Sequence, residues 1–117
     1  MKQYFWAVAL LGLAGCAADT PNVLGKPAME SPLVAVSSIN SLKGAPAPVS
    51  LKGTMVEKCP MAGCWFMLRD KTGVIKVDTK AAGFVVSEVP LNTEMTVTGT
   101  PVLTGEKRIA ASGLQYR

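Results

Sequence analysis

From Val49 onward the apolar residues fall on alternate positions, and this period of two restricts the fold more than any other feature of the chain. Val49, Leu51, Gly53 and Met55 alternate with Ser50, Lys52 and Thr54. An extended strand collects such residues on one face, whereas a helix scatters them round its circumference. Residues 64–69 read as a second strand, which meets Asp70-Lys71-Thr72-Gly73 and returns as residues 74–78. Asp and Gly suit a tight turn, so these two strands predict a hairpin. Residues 79–93, containing Gly83 and Pro90, are long enough for a crossover loop or a short helix. Residues 94–100, continuing to Val102, form a fourth strand, and Thr104-Gly105-Glu106 turns it into a fifth at 107–116.

Five short strands with a crossover between the third and fourth predict an all-β fold, a Greek-key barrel of the OB type. A flat sheet of this size would expose one apolar face and two open edges, and closure covers both. Gly53 and Gly99 fall inside strands, where a missing Cβ permits the bulges and sharp coiling of a small barrel. A sandwich or an open meander is the alternative use of the same strands. The 117 residues leave room for one small domain, and the absence of histidine removes the usual neutral-pH base and the commonest zinc and haem ligand. Twelve Lys and Arg against eight Asp and Glu give a net charge of +4. The cations form no run, so nothing marks a dedicated nucleic-acid arm.

Residues 1–15 read as an export signal, with Lys2 ahead of the apolar stretch 4–11 and small residues at the end. The apolar run is about a dozen residues, too short to span a bilayer that needs about 20. Leu13-Ala14-Gly15-Cys16 resembles a bacterial lipobox. That resemblance implies cleavage before Cys16, a diacylglyceryl group on its sulfur, acylation of the new amine, and a membrane anchor. Within the same resemblance, an Asp after the cysteine usually marks inner-membrane retention, so Ala17 points to the outer membrane, facing the periplasm. An ordinary cleaved signal with an incidental Cys16 is the alternative. Residues 16–33, with Pro21, Gly25, Pro27 and Pro32, then form a lipidated tether. Extended at roughly 3.3–3.6 Å per residue, positions 17–32 reach about 55 Å at most. The domain proper is 34–117. Within 34–43, either Ser37 or Ser38 caps a helical turn that buries Ile39 and Leu42, or 34–38 is an edge strand.

The runs 49–56, Trp65 to Asp78 with its Asp-Lys-Thr-Gly turn, and Met95-Thr-Val-Thr-Gly99 together resemble the small bacterial periplasmic OB-fold proteins. The resemblance covers residues 34–116 and implies an exported five-stranded barrel. Some members are described as acting in stress tolerance or as binding ligands and envelope components. The lipobox and a Cys-x4-Cys-Trp loop depart from that pattern.

This loop, Cys59-Pro60-Met61-Ala62-Gly63-Cys64, joins the first two strands and is the most chemically distinctive part of the chain. Pro60 fixes one backbone angle and Gly63 permits a positive one, which lets the loop fold back on itself. Three readings stay open: a structural disulfide between Cys59 and Cys64, a soft-metal site for Cu(I) in which Met61 adds its thioether, and a reversible thiol pair. No other cofactor is expected.

If Phe66 and Leu68 point inward, the pleat sends Trp65, Met67 and Arg69 outward, with Lys52 and Lys76 on neighbouring strands. An aromatic residue among cations suits nucleic acid. An anchored envelope protein seldom meets single-stranded nucleic acid, so the partners read for this face are an anionic glycan, a peptide or an envelope protein. Packing of Trp65 over the cysteine loop is the plainer alternative. Asp70 and Asp78 read as turn and strand-end residues, and no histidine is present to activate Cys59 or Cys64, so no enzyme is expected. The sequence therefore points to a lipid-anchored envelope binding or accessory module, with a Cu(I) or thiol-redox protein as the alternative.

Overall fold

The alternation at 49–55 forms a strand that is too long for a single ladder. In the computed structural model, which describes residues 21–26, 31–44, 46–61 and 63–117, the elements are β1 (Asn22–Gly25), α1 (Val36–Ile39), β2 (Val49–Lys58), β3 (Trp65–Asp70), β4 (Gly73–Asp78), β5 (Glu94–Val102) and β6 (Arg108–Tyr116). The expected export signal, Cys16 and residues 17–20 lie outside the described residues. The first half of β2 pairs with β5, from Val49 opposite Gly99 to Thr54 opposite Glu94, and its second half pairs with β3. β3 and β4 form the expected hairpin about the Asp70–Gly73 turn. β6 lies parallel to β4 and antiparallel to β5. The five strands β2 to β6 therefore close into a barrel of OB-type connectivity. Leu51, Met55, Phe66, Leu68, Val77, Val97 and Ile109 fill it, all of them fully buried.

The sharp coiling has local causes. β5 shifts register between Thr98 and Gly99, and a Cβ at Gly99 would stand 2.5 Å from the Ala110 carbonyl oxygen. On β2 the shift falls between Met55 and Glu57, beyond Gly53. Gly53 serves instead as a close crossing, since a Cβ there would stand 2.5 Å from the Arg69 carbonyl oxygen.

Each end of the barrel has its own cover. At one end, which we call the loop end, residues 79–93 cross from β4 to β5 as turns without a helix and bury Val86 and Val89. At the other end α1 buries Val36 and Ile39. Ser37 and Ser38 do not cap this helical turn, as the sequence had left open; its N-cap is Ala35, which makes no side-chain cap. The caps come from the β3–β4 turn. Asp70 Oδ2 accepts the Val36 N–H at 2.8 Å, and Thr72 Oγ1 accepts the Ser37 N–H at 3.0 Å. Asp70 Oδ1 meanwhile accepts the Thr72 N–H, the Thr72 hydroxyl and the Gly73 N–H. One carboxylate thus shapes the hairpin turn and docks the helix.

The segment read as a tether is partly structured. Asn22–Gly25 pairs antiparallel with Tyr116–Gly113 on the edge of β6 that β4 leaves open beyond Ala110. Leu24 packs against the core, which gives this short strand an apolar reason to dock. Among the described residues no helix is long and apolar enough to cross a membrane.

Partial burial disfavours the charged form of Asp70, but the hydrogen bonds from the Thr72 hydroxyl and from the Val36, Thr72 and Gly73 N–H groups outweigh it. Its pKa lies below the ordinary carboxylate value. The ionised group therefore stabilises the fold at neutral pH. That contribution begins to fade as the pH drops below about 4 and is gone once the pH passes below the lowered pKa of Asp70 itself. Asp70→Ala is expected to cost about 1–2 kcal/mol in urea unfolding at pH 7. The variant should also lose less stability than the parent between pH 5 and pH 2, each pH being read by its own urea curve.

Candidate functional site

β2 and β3 reach past the barrel rim, and the cysteine loop joins their tips. The Cys59 N–H donates to the Trp65 carbonyl at 3.0 Å, which makes this pair the last rung of the ladder. The Gly63 N–H then donates back to the Cys59 carbonyl at 3.3 Å, closing the loop. Gly63 is required twice over. It holds φ at +64°, and a Cβ would stand 2.6 Å from the Ser87 backbone nitrogen. Its carbonyl accepts the Val86 N–H at 2.8 Å, and the Cys64 carbonyl accepts the Thr79 N–H at 2.9 Å. The crossover is thereby stitched to the cysteine loop.

Lys58 completes the stitching. The register shift after Met55 sets Glu57 opposite Met67 and Lys58 opposite Phe66, on the inward side of the rim. From there its ammonium donates to the Ser87 carbonyl at 3.0 Å and the Val89 carbonyl at 2.6 Å. The sequence pattern concealed this role, because simple alternation continued past Met55 would have turned Lys58 outward.

Cys59 and Cys64 are half-buried and are not joined by a disulfide in the structure. Met61 projects from the loop with 91% of its surface exposed. Among the described residues no three His, Cys, Asp or Glu side chains gather into a group able to hold a metal. A Cu(I) site would therefore rest on Cys59, Cys64 and Met61. Thr79, beside this loop, is fully buried, and its hydroxyl has no hydrogen-bond partner among the described residues.

The outer face is organised as the pleat requires. Phe66 and Leu68 are buried, while Met67 and Trp65 are half-buried and Arg69 is exposed. Met67 stands directly opposite Lys76 on β4. The Lys76 ammonium lies 5.1 Å from the centroid of the Trp65 ring and 3.7 Å from Glu106 Oε1. A cation over indole at this distance is attracted to the ring face, whereas the exposed ion pair contributes little. Lys52 does not join this cluster. It lies beside Arg69, and the two line an open groove of about 590 Å³ together with Gly53, Thr54, Lys71 and Glu94. Lys52 also borders a second groove, of about 480 Å³, beside Pro21, Glu94 and Tyr116. The expected face is thus divided into a Trp65–Met67–Lys76 patch and a Lys52–Arg69 groove. Lys71 and Thr54 belong to the groove although the sequence did not single them out; a turn lysine and a strand threonine carry no distinguishing signal.

This architecture is matched in a solved structure. The hypothetical protein ygiW from E. coli superposes with a TM-score of 0.58 at 18% identity, over 79% of this chain and all of that one. The likeness is one of fold. No family model matches the chain, and no curated protein matches it.

Gly63→Ala is expected to lower stability by about 1–3 kcal/mol, since it combines a left-handed backbone with a backbone clash. Gly105→Ala, which also has positive φ but nothing near the added carbon, should cost only about 1 kcal/mol. Paired thermal melts give the comparison. Thr79→Val, which removes the unpartnered hydroxyl at nearly constant volume, should leave stability unchanged or raise it by about 1 kcal/mol in the same assay.

Proposed function

We propose that the chain is a lipid-anchored, non-catalytic binding module of the bacterial cell envelope, facing the periplasm from the outer membrane. In this reading the groove between β2 and the β3–β4 turn receives an anionic partner: a glycan, an acidic peptide or an acidic surface of an envelope protein. The observation that carries it is the convergence of Lys52, Arg69 and Lys71 on that one groove. Of the acidic groups there, Asp70 is held by four hydrogen bonds from its own turn and from α1, which leaves Glu94 as the acid facing those three cations. The Trp65 ring, covered by Lys76, extends the face along β3 and offers an apolar surface next to the charge. Soluble poly-L-glutamate serves as the probe. It is expected to bind with an affinity that falls as salt rises, and Lys52→Glu/Arg69→Glu should weaken binding about tenfold or more. Equal binding by the double variant removes the groove from the reading. The anchor is tested separately by intact mass and membrane fractionation, with Cys16→Ser abolishing the acyl mass.

A second reading makes the cysteine loop the working part, as a Cu(I) or thiol-redox site. It draws on the hydrogen bond that holds Cys59 at the base of the loop next to Trp65, with Cys64 adjoining. Thiol titration of the mature chain with and without reductant separates a bridge from an accessible pair. Uptake of Cu(I) by the reduced chain that is lost in Cys64→Ser would favour the metal.

A further inference from the structure

The position of β1 limits how far the domain can stand from a lipid attached at Cys16. Asn22 pairs with Tyr116, so the chain enters the barrel where β6 ends and β5 begins, which is the loop end. Only residues 17–21 separate Cys16 from that strand. Six Cα steps at roughly 3.3–3.6 Å reach about 20 Å, far short of the 55 Å that an undocked tether would allow. So short a leash sets which end of the barrel lies nearest the lipid.

The apolar surface is distributed to match. The exposed large hydrophobic residues of the described chain are Val23, Leu33, Met61, Val74, Val85 and Leu91. Met61 tips the cysteine loop, Val85 and Leu91 lie on the crossover, and Val23 is on β1 itself. Four of the six thus belong to the segments that form or enter the loop end. The contacts that fix them are those already described, from Val86 to Gly63 and from Lys58 to Ser87 and Val89. The exposed charges on and beside these segments are of both signs, with Lys26, Lys80 and Arg117 set against Glu57, Glu88 and Glu94. Such a surface has no strong preference for anionic lipid, and its affinity for a bilayer would come from its apolar tips.

We infer that the loop end lies against the membrane surface that holds the anchor, with Met61, Val85 and Leu91 entering the lipid interface, and that α1 at the opposite end faces away from it. This placement rests on the lipidation of Cys16 proposed above. The occupant of the apolar end is the bilayer itself, because the five-residue leash brings that surface within reach.

The test uses the full mature chain in phosphatidylcholine nanodiscs, compared with its Met61→Asp/Val85→Asp/Leu91→Asp variant. All three positions are exposed, so the variant keeps its core, and intact mass confirms acylation of both forms. Amide hydrogen exchange, corrected for sequence, is expected to be several-fold slower in the parent at Cys59–Met61 and at residues 85–91. Amides of α1 and of residues 103–107 should exchange alike in the two forms, and they report that the variant is folded. Adding anionic lipid should change the protection little. Equal exchange at the loop end in two acylated, folded forms overturns the placement and leaves the anchor standing. Protection that appears at the α1 end, or that rises with protein concentration as a second copy would cause, also overturns it. A mature chain without acyl mass overturns the anchor and the placement together.

Discussion

Closure of the barrel depends on β6. It bonds to β4, a parallel neighbour, on one edge and to β5, an antiparallel one, on the other, and without that double pairing the other four strands would be an open sheet with two edges. The parallel contact is brief, from Arg108 to Ala110. Beyond it the same edge of β6 is available, and β1 occupies it. The N-terminal strand is therefore a consequence of how the barrel closes: β4 and β6 diverge, and the backbone groups left unpaired are taken up by the nearest extended chain.

A small closed barrel still has two ends to cover, and here each cover buries apolar side chains and is tied down by its own set of polar contacts. The α1 end buries Val36 and Ile39 and is docked by Asp70 and Thr72, which reach the first N–H groups of a four-residue helix that could not persist alone. The loop end is held by apolar burial of Val86 and Val89, with Lys58 and Gly63 tying down the backbone around them. Acid weakens the first cover because its stabilising form is a carboxylate. The Lys58 and Gly63 contacts of the second use no carboxylate, and its only carboxylate contact among those described is Asp78 Oδ1 accepting the Lys80 N–H where the crossover begins.

The strands were legible in the sequence because a period of two records which face is buried, and the β3–β4 hairpin was legible because Asp70 and Gly73 are turn residues wherever they stand. The interactions that cover the ends were not. Asp70 caps Val36 from 34 positions away, and no local pattern marks that pairing. Residues 17–32 read as a tether since prolines and glycine discourage a helix, but Val23 and Leu24 between them are enough for a short edge strand once β6 offers a partner. On the outer face, alternation placed Trp65, Met67 and Arg69 correctly relative to Phe66 and Leu68. It could not show that Lys52 lies with Arg69 and away from Trp65, because that depends on how far β2 has turned from β5 toward β3 before the pairing begins.

The two candidate sites therefore make different demands on a partner. The Lys52–Arg69 groove runs from Ala35 and the β3–β4 turn to Glu94 at the start of β5, open enough for a long polyanion to lie along it. The cysteine loop lies at the end of the barrel where the crossover packs, with the Gly63 carbonyl accepting the Val86 N–H. The two sites thus differ in the chemistry they offer: cations from Lys52, Arg69 and Lys71 in the groove, and sulfur from Cys59, Cys64 and Met61 at the loop end.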